Sequence, residues 1–156
     1  MDFKKQRAAS LGYRIARLFR MNSCRLDRWL AEFGLCHGQV PYLISITEKS
    51  GQTQDELAAQ VHVHRAATAR ILKNMEAAGL VTRKENPENR RQNLVFPTDK
   101  SCALIGDVVD VLDIHNETLL KGFSDEEREL LFSMMDRILE NAEWSKDDKG
   151  GPDALC

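Results

Sequence analysis

The stretch RKENPENRRQNLVFPTDKS, from Arg83 to Ser101, restricts the fold more than any other part of the chain. LVTRK and NLVF are rich in β-formers and bracket Asn86-Pro87-Glu88-Asn89. Asn at the first position and Pro at the second favour a type I turn there. The pattern predicts a two-stranded hairpin with Arg90 and Arg91 at its tip. A hairpin this small does not hold together alone in water, so it has to lie against helices.

Helical periodicity accounts for the rest. Leu11, Ile15, Leu18, Leu26, Trp29 and Phe33 recur at helical spacing before Gly34, a good residue just past a helix end. Val40, Leu43, Ile44 and Thr47 predict a second helix that stops near Gly51. Thr53-Gln-Asp-Glu56 is a capping box and opens a short helix to about Val61. After His62-Val63-His64 another helix starts at about Arg65, turns Thr68, Ile71, Leu72 and Met75 inward, and ends at Gly79-Leu80. Pro97 ends the second strand. Thr98 can cap a long helix carrying Leu104, Val108, Val111, Leu112 and Leu119. Ser124-Asp-Glu-Glu127, a second capping box, opens the last helix with Leu131, Met134, Met135 and Ile138.

A short helix, a turn of about three residues and a second helix form a helix-turn-helix, whose second helix enters the DNA major groove. A basic hairpin directly after it is a wing, placed to meet phosphates and an adjacent minor groove. The last two helices carry apolar residues on more than one stripe, and a single protomer covers only one. A homodimer built from the N- and C-terminal helices follows. The expected class is mainly α with a small β-hairpin: a winged helix-turn-helix flanked by dimerisation helices. The expected divisions are 1–34 for an N-terminal dimerisation helix, 35–98 for the DNA-binding domain and 99–145 for C-terminal dimerisation helices. The segment 146–156, charged and interrupted by Gly and Pro, is expected to be disordered.

Charge supports a polyanionic partner. The net charge is only −2, yet His62–Asn93 holds seven basic against three acidic residues, net +4. The first 31 residues hold eight against two, net +6, while Asp107–Asp153 holds five against fourteen, net −9. No apolar run approaches the ~18 residues of a membrane span. MDFKKQRAAS lacks the apolar stretch of a secretory signal. Four cysteines (Cys24, Cys36, Cys102 and Cys156) have no CxxC spacing, which suggests a reducing compartment. A cytoplasmic protein without membrane contact is expected.

From about Leu11 to Ile138 the chain resembles the multiple-antibiotic-resistance regulator (MarR) family of bacterial winged-helix proteins. The family's wing reads Asp-Pro-x-Asp-Arg-Arg, an apolar alternation, then Leu-Thr-x-x-Gly. Here Asn86-Pro87-Glu88-Asn89-Arg90-Arg91 is followed by Leu94-Val95-Phe96-Pro97-Thr98-Asp99-Lys100-Ser101. GLCHGQVPYLISI resembles the opening of the family's second helix, and TQDELAAQVHVHRAATARILKNMEAAGLVTRK its helix-turn-helix. The resemblance implies a dimer on a pseudo-palindromic operator, usually a repressor, released by small ligands, oxidants or metals. The chain departs from the family at both wing acids, Asn86 and Asn89, at the turn glycine, which is His62, and in a recognition helix poor in Ser and Thr.

The DNA-binding candidates are Gln54, His64, Arg65, Ala66, Ala69, Arg70, Lys73, Arg90 and Arg91. Arg65 or Arg70 would read a guanine edge, and Ala66 or Ala69 would meet thymine methyls; the alternative is that these arginines only hold phosphates. A pocket for a small aromatic or phenolic effector would draw on Tyr13, Arg14, Arg17, His37 and Tyr42, which otherwise are ordinary interface and surface residues.

Other chemistries have weaker signals. The hydroperoxide-sensing cysteine of some family members would fall near Gly12 and is absent. Cys24 lies among Arg20, Arg25 and Arg28, which would favour its thiolate, and Cys36 is a second thiol to consider for redox sensing. Cys36-His37, His62-x-His64, His115 and Cys102 are the possible metal ligands, without finger-like spacing. No catalytic motif is present, and neither cofactor nor resident metal is expected. A winged-helix module that binds another protein is the remaining alternative.

Overall fold

The computed structural model describes Arg7 and residues 9–142. The expected disorder at 146–156 lies outside the described residues. The elements are α1 (Leu11–Leu30), α2 (Val40–Glu48), β1 (Gln52–Thr53), α3 (Gln54–Gln60), α4 (Arg65–Ala77), β2 (Val81–Asn86), β3 (Asn89–Pro97), α5 (Asp99–Leu119) and α6 (Asp125–Ala142). Single 3-10 turns at Ala31–Phe33 and His37–Gln39 join α1 to α2. The chain divides into two compact units, one ending at His115 and the other beginning at Asn116, so α5 runs across the divide.

Local chemistry sets the helix ends. Ser10 Oγ accepts from the Tyr13 amide at 3.1 Å and opens α1. The capping box of α3 forms as expected: Thr53 Oγ1 accepts from the Glu56 amide at 3.2 Å, and Glu56 accepts from the Thr53 amide at 2.7 Å. That second bond, above all, holds the Glu56 carboxyl below its usual pKa. Two helices end alike, with a left-handed residue whose amide and the next amide satisfy the last carbonyls. After α4 these are Gly79 to Glu76 O at 3.0 Å and Leu80 to Met75 O at 2.9 Å, with Gly79 at φ 70°. After α3 the left-handed residue is His62, at φ 53°. His62 therefore accepts the conformation that glycine usually supplies, at some steric cost.

The sheet has three strands in the order β1-β3-β2, all antiparallel, where the sequence predicts two. The added strand is only Gln52 and Thr53, opposite Val95 and Leu94. Two residues carry no alternation by which to find a strand. The hairpin register runs from Val81↔Pro97 to Asn86↔Asn89, with an irregularity at Glu85/Asn86. Only Pro87 and Glu88 stand outside the strands, so Arg90 and Arg91 are in β3 next to the turn rather than within it.

The core of the first unit gathers Leu26, Leu30 and Leu35, then Tyr42, Leu43 and Ile46 of α2, Leu57 of α3, Leu72 and Met75 of α4, Val81 and Val95 of the sheet, and Val108 of α5. Of α1 only Ser23, Leu26 and Leu30 are buried, and of α6 no residue. Leu11, Ile15, Leu18 and Phe19 of α1 are 48–60% exposed, and Leu130, Phe132, Met134, Met135 and Leu139 of α6 are 44–61% exposed.

One polar contact inside the first unit has a pH consequence. His115 of α5 is buried; its Nε2–H donates to Asn22 Oδ1 of α1, its ring meets Trp29 edge-on, and Nδ1 has no partner. Burial, with Arg25 adding like charge, pushes its pKa below the ordinary histidine value. The unfolded chain therefore binds a proton that the folded chain refuses. Stability is expected to fall as pH drops below about 6.5, the ordinary histidine pKa. Thermal denaturation of the parent and His115→Gln between pH 7.5 and 5.5 checks this. The parent should lose melting temperature over that range and the variant should lose less; equal losses would refute the assignment. The stability that the lowered carboxylates Asp27 and Glu56 contribute is kept over this range and is lost only at lower pH, where they take up protons.

Candidate nucleic-acid interface

Recognition begins with the rotation of α4 about its own axis. Thr68, Leu72 and Met75 are buried, so the opposite face is fixed outward. Tyr42 and Thr68 share a buried hydroxyl–hydroxyl bond of 2.9 Å that joins α2 to α4. Tyr42 is 1% exposed, which corrects the expectation that it lines an effector pocket. Its aromatic ring belongs to the core and its hydroxyl is already used. The hydroxyl partner lies 26 residues away, and spacing along a helix does not reveal such a contact.

Outward stand His64, Arg65, Ala66, Arg70 and Lys73, all exposed, with Ala69 half-buried between them. Gln54, at the start of α3, points its amide at the Arg65 carbonyl, 3.5 Å away. Beside this face the strands of the wing carry Arg83, Lys84, Arg90 and Arg91. Asn86 Oδ1 accepts from the Glu88 amide at 2.9 Å, and Asn89 Oδ1 accepts from the Arg91 amide at 3.2 Å. The two asparagines that replace the wing acids thus shape the backbone of the turn, as Asx residues do. A cleft of about 220 Å³ separates wing from helix-turn-helix, bounded by Thr53, Gln54, Asp55, Arg83, Arg91 and their neighbours.

Three carboxylates on this face escape a reading by motif. Asp55 Oδ1 meets Arg65 Nε at 3.1 Å, Glu76 Oε2 meets Arg83 Nε at 3.3 Å, and Glu85 Oε1 meets Arg90 Nε at 3.3 Å. The middle pair ties β2 to α4, with the Arg83 side chain 24% exposed. Arg70, Lys73 and Arg91 have no carboxylate partner among the described residues. An acid ten residues before its arginine, on another helix, leaves no spacing signature.

The far end of α4 is tied to the start of α5. Thr98 Oγ1 donates to Gly79 O at 2.7 Å and accepts from the Ser101 amide at 3.3 Å. Lys100 Nζ donates to Ala78 O at 2.9 Å, and the buried Ser101 hydroxyl donates to Leu80 O.

The remaining candidates are dispersed. Tyr13 and Arg17 are on the uncovered half of α1. His37 is in the turn before α2, where Asp27 Oδ1 accepts from its amide at 2.8 Å and lies 2.9 Å from its Nδ1, and Phe19 meets its ring edge-on. The backbone bond is the main reason that Asp27 stays ionised below its usual pKa. Cys24, Cys36 and Cys102 are exposed and free. Among the described residues no three His, Cys, Asp or Glu side chains stand close enough to share a metal ion, and no helix is long and apolar enough to cross a membrane.

Known proteins match this architecture. The family model for MarR covers residues 35–92, from the residues before α2 into the wing. The HTH-type transcriptional regulator YybA of Bacillus subtilis (strain 168) is 30% identical over 121 residues, covering 76% of this chain and 81% of its own. A crystal structure of MarR superposes with a TM-score of 0.76 at 30% identity, over 85% of this chain and 90% of the other. A MarR family regulator from Listeria monocytogenes, solved in complex with a 26mer DNA, gives a TM-score of 0.77 at 29% identity, over 85% and 88%. With its wing, its helix-turn-helix and these likenesses together, the chain belongs to the MarR family of DNA-binding transcriptional regulators.

Proposed function

We propose that the protein is a cytoplasmic homodimer that grips a pseudo-palindromic operator, acts as a repressor, and is released by a small effector. The observation that carries the reading is the outward face of α4, where Arg65, Arg70 and Lys73 stand exposed beside the wing arginines Arg90 and Arg91. In a dimer two such faces meet successive major grooves about one helical turn apart, and the wings reach the flanking minor grooves. Residues 35–98 then serve as the DNA-binding domain, with 1–34 and 99–145 pairing the protomers. The uncovered apolar residues of α1 and α6 support that pairing, because a helix with an apolar stripe gains little stability until the stripe is covered.

Release follows from the ties between α4 and α5. A ligand that favours one setting of α5 also favours one setting of the recognition helix, and so selects between two dimer shapes. An aromatic acid would draw on the cation of Arg17 and the hydroxyl of Tyr13 on α1, and apart from them on His37, whose ring Phe19 meets edge-on. This step fails if operator affinity is unchanged by phenolic acids, thiol oxidants and zinc alike.

Selection from a random duplex library near physiological salt tests the whole reading, with Arg90→Ala/Arg91→Ala beside the parent. The parent should enrich a pseudo-palindrome that the double variant holds at least about a hundredfold more weakly, in keeping with charge-assisted contacts of about 1.5–3 kcal/mol for each arginine. Binding should weaken steeply with salt. Absence of enrichment, with weak and salt-insensitive duplex binding, would point instead to a protein partner.

A further inference from the structure

We propose that Asp55 is a specificity-determining residue: it holds Arg65 by its Nε edge so that the other edge of the guanidinium reads a guanine. The inference rests on the DNA-binding reading above. Arg65 is the first residue of the recognition helix, the end that points to base edges in a helix-turn-helix. Asp55 is in the first turn of α3, and its Oδ1 stands 3.1 Å from Arg65 Nε. The guanidinium is a rigid planar fork with five donors. A carboxylate at Nε leaves the terminal pair of nitrogens free, and that pair matches guanine O6 and N7.

Stability does not explain the contact. Arg65 is 76% exposed and Asp55 39%, and such surface pairs contribute little to folding. Their cost appears on DNA instead, because a carboxylate facing a polyanion weakens binding to every duplex alike. What it offers in return is pose. An unheld arginine has many rotamers and takes the nearest phosphate, which fixes register but carries no sequence information. An arginine held at Nε cannot turn to a phosphate without leaving Asp55 unpaired beside the DNA. The Gln54 amide, aimed at the Arg65 carbonyl, steadies the same helix start. Among the described residues Arg70 has no such acid, which distinguishes two arginines that are equivalent in the sequence.

The test compares the parent, Asp55→Asn, Asp55→Glu and Arg65→Ala on duplexes carrying each base at each operator position, over a range of salt. Asp55→Asn should lower preference at one base pair per half-site by about tenfold, the scale of a bidentate contact. It should also bind random duplex more tightly and with a steeper salt slope, since Arg65 becomes free to neutralise a phosphate. Arg65→Ala should lose preference at the same base pair, and Asp55→Glu should restore part of it. Tighter binding to all duplexes with base preference intact would make Asp55 a charge effect only, and overturn the proposal. Equal weakening on all duplexes would make it structural, and overturn it too. If the parent itself enriches no motif, the DNA-binding reading fails instead.

Discussion

Leu18→Glu is expected to turn the proposed dimer into a monomer and to weaken operator binding by on the order of a hundredfold or more, because the second half-site is then no longer held by linkage to the first. Leu18 is 52% exposed within the protomer, among Leu11, Ile15 and Phe19 on a half of α1 that is exposed among the described residues. Burying a leucine gains about 1.5–3 kcal/mol, and two-fold symmetry presents the stripe twice. A carboxylate placed there has to be desolvated for the dimer to close. Sedimentation with and without the selected duplex reads both effects. A variant that remains dimeric at the parent's concentration dependence would show that α1 does not form the interface. Since Leu18 lies outside the protomer's hydrophobic core, the variant's circular dichroism should stay helical.

Leu72→Ala is expected to cost about 2–5 kcal/mol, a large share of the 5–15 kcal/mol that stabilises a typical domain. Leu72 is fully buried on the inward face of α4, in a core shared with α2, α3, the sheet and α5. Removing it leaves a void beneath the recognition helix. Thermal denaturation at fixed protein concentration should show a melting temperature lower by roughly 10 °C. Operator binding should also suffer at temperatures where the fold persists, since the outward face of α4 is fixed by what lies under it. A change below about 1 kcal/mol would mean that the site collapses around the deletion.

Most elements were legible because their signals are local. Thr53/Glu56 and Ser124/Glu127 form the capping boxes that their spacing implies. Gly34 and Gly79 adopt the left-handed conformation their positions require, and Thr68, Leu72 and Met75 turn inward. Pro97 and Thr98 mark the passage from strand to helix. The misses share a cause, which is dependence on partners distant in sequence. Tyr42 looked available to a ligand because Thr68 is on another helix. The strand at Gln52–Thr53 exists only because Val95 and Leu94 lie beside it. The acids that hold Arg65 and Arg83 belong to neighbouring elements, so only the folded chain brings each pair together.

The division of α4 into a buried face and an open one has an evolutionary consequence. Fold is written on Thr68, Leu72 and Met75, and in the DNA-binding reading proposed above preference is written on Arg65, Ala66, Ala69, Arg70 and Lys73. Two of the outward positions are alanines, helix-favouring residues with short side chains that leave room above them. Longer side chains there can add or switch base contacts without disturbing the packing beneath. A duplicated copy can therefore drift to a new operator through a few surface changes and remain a folded protein at every step.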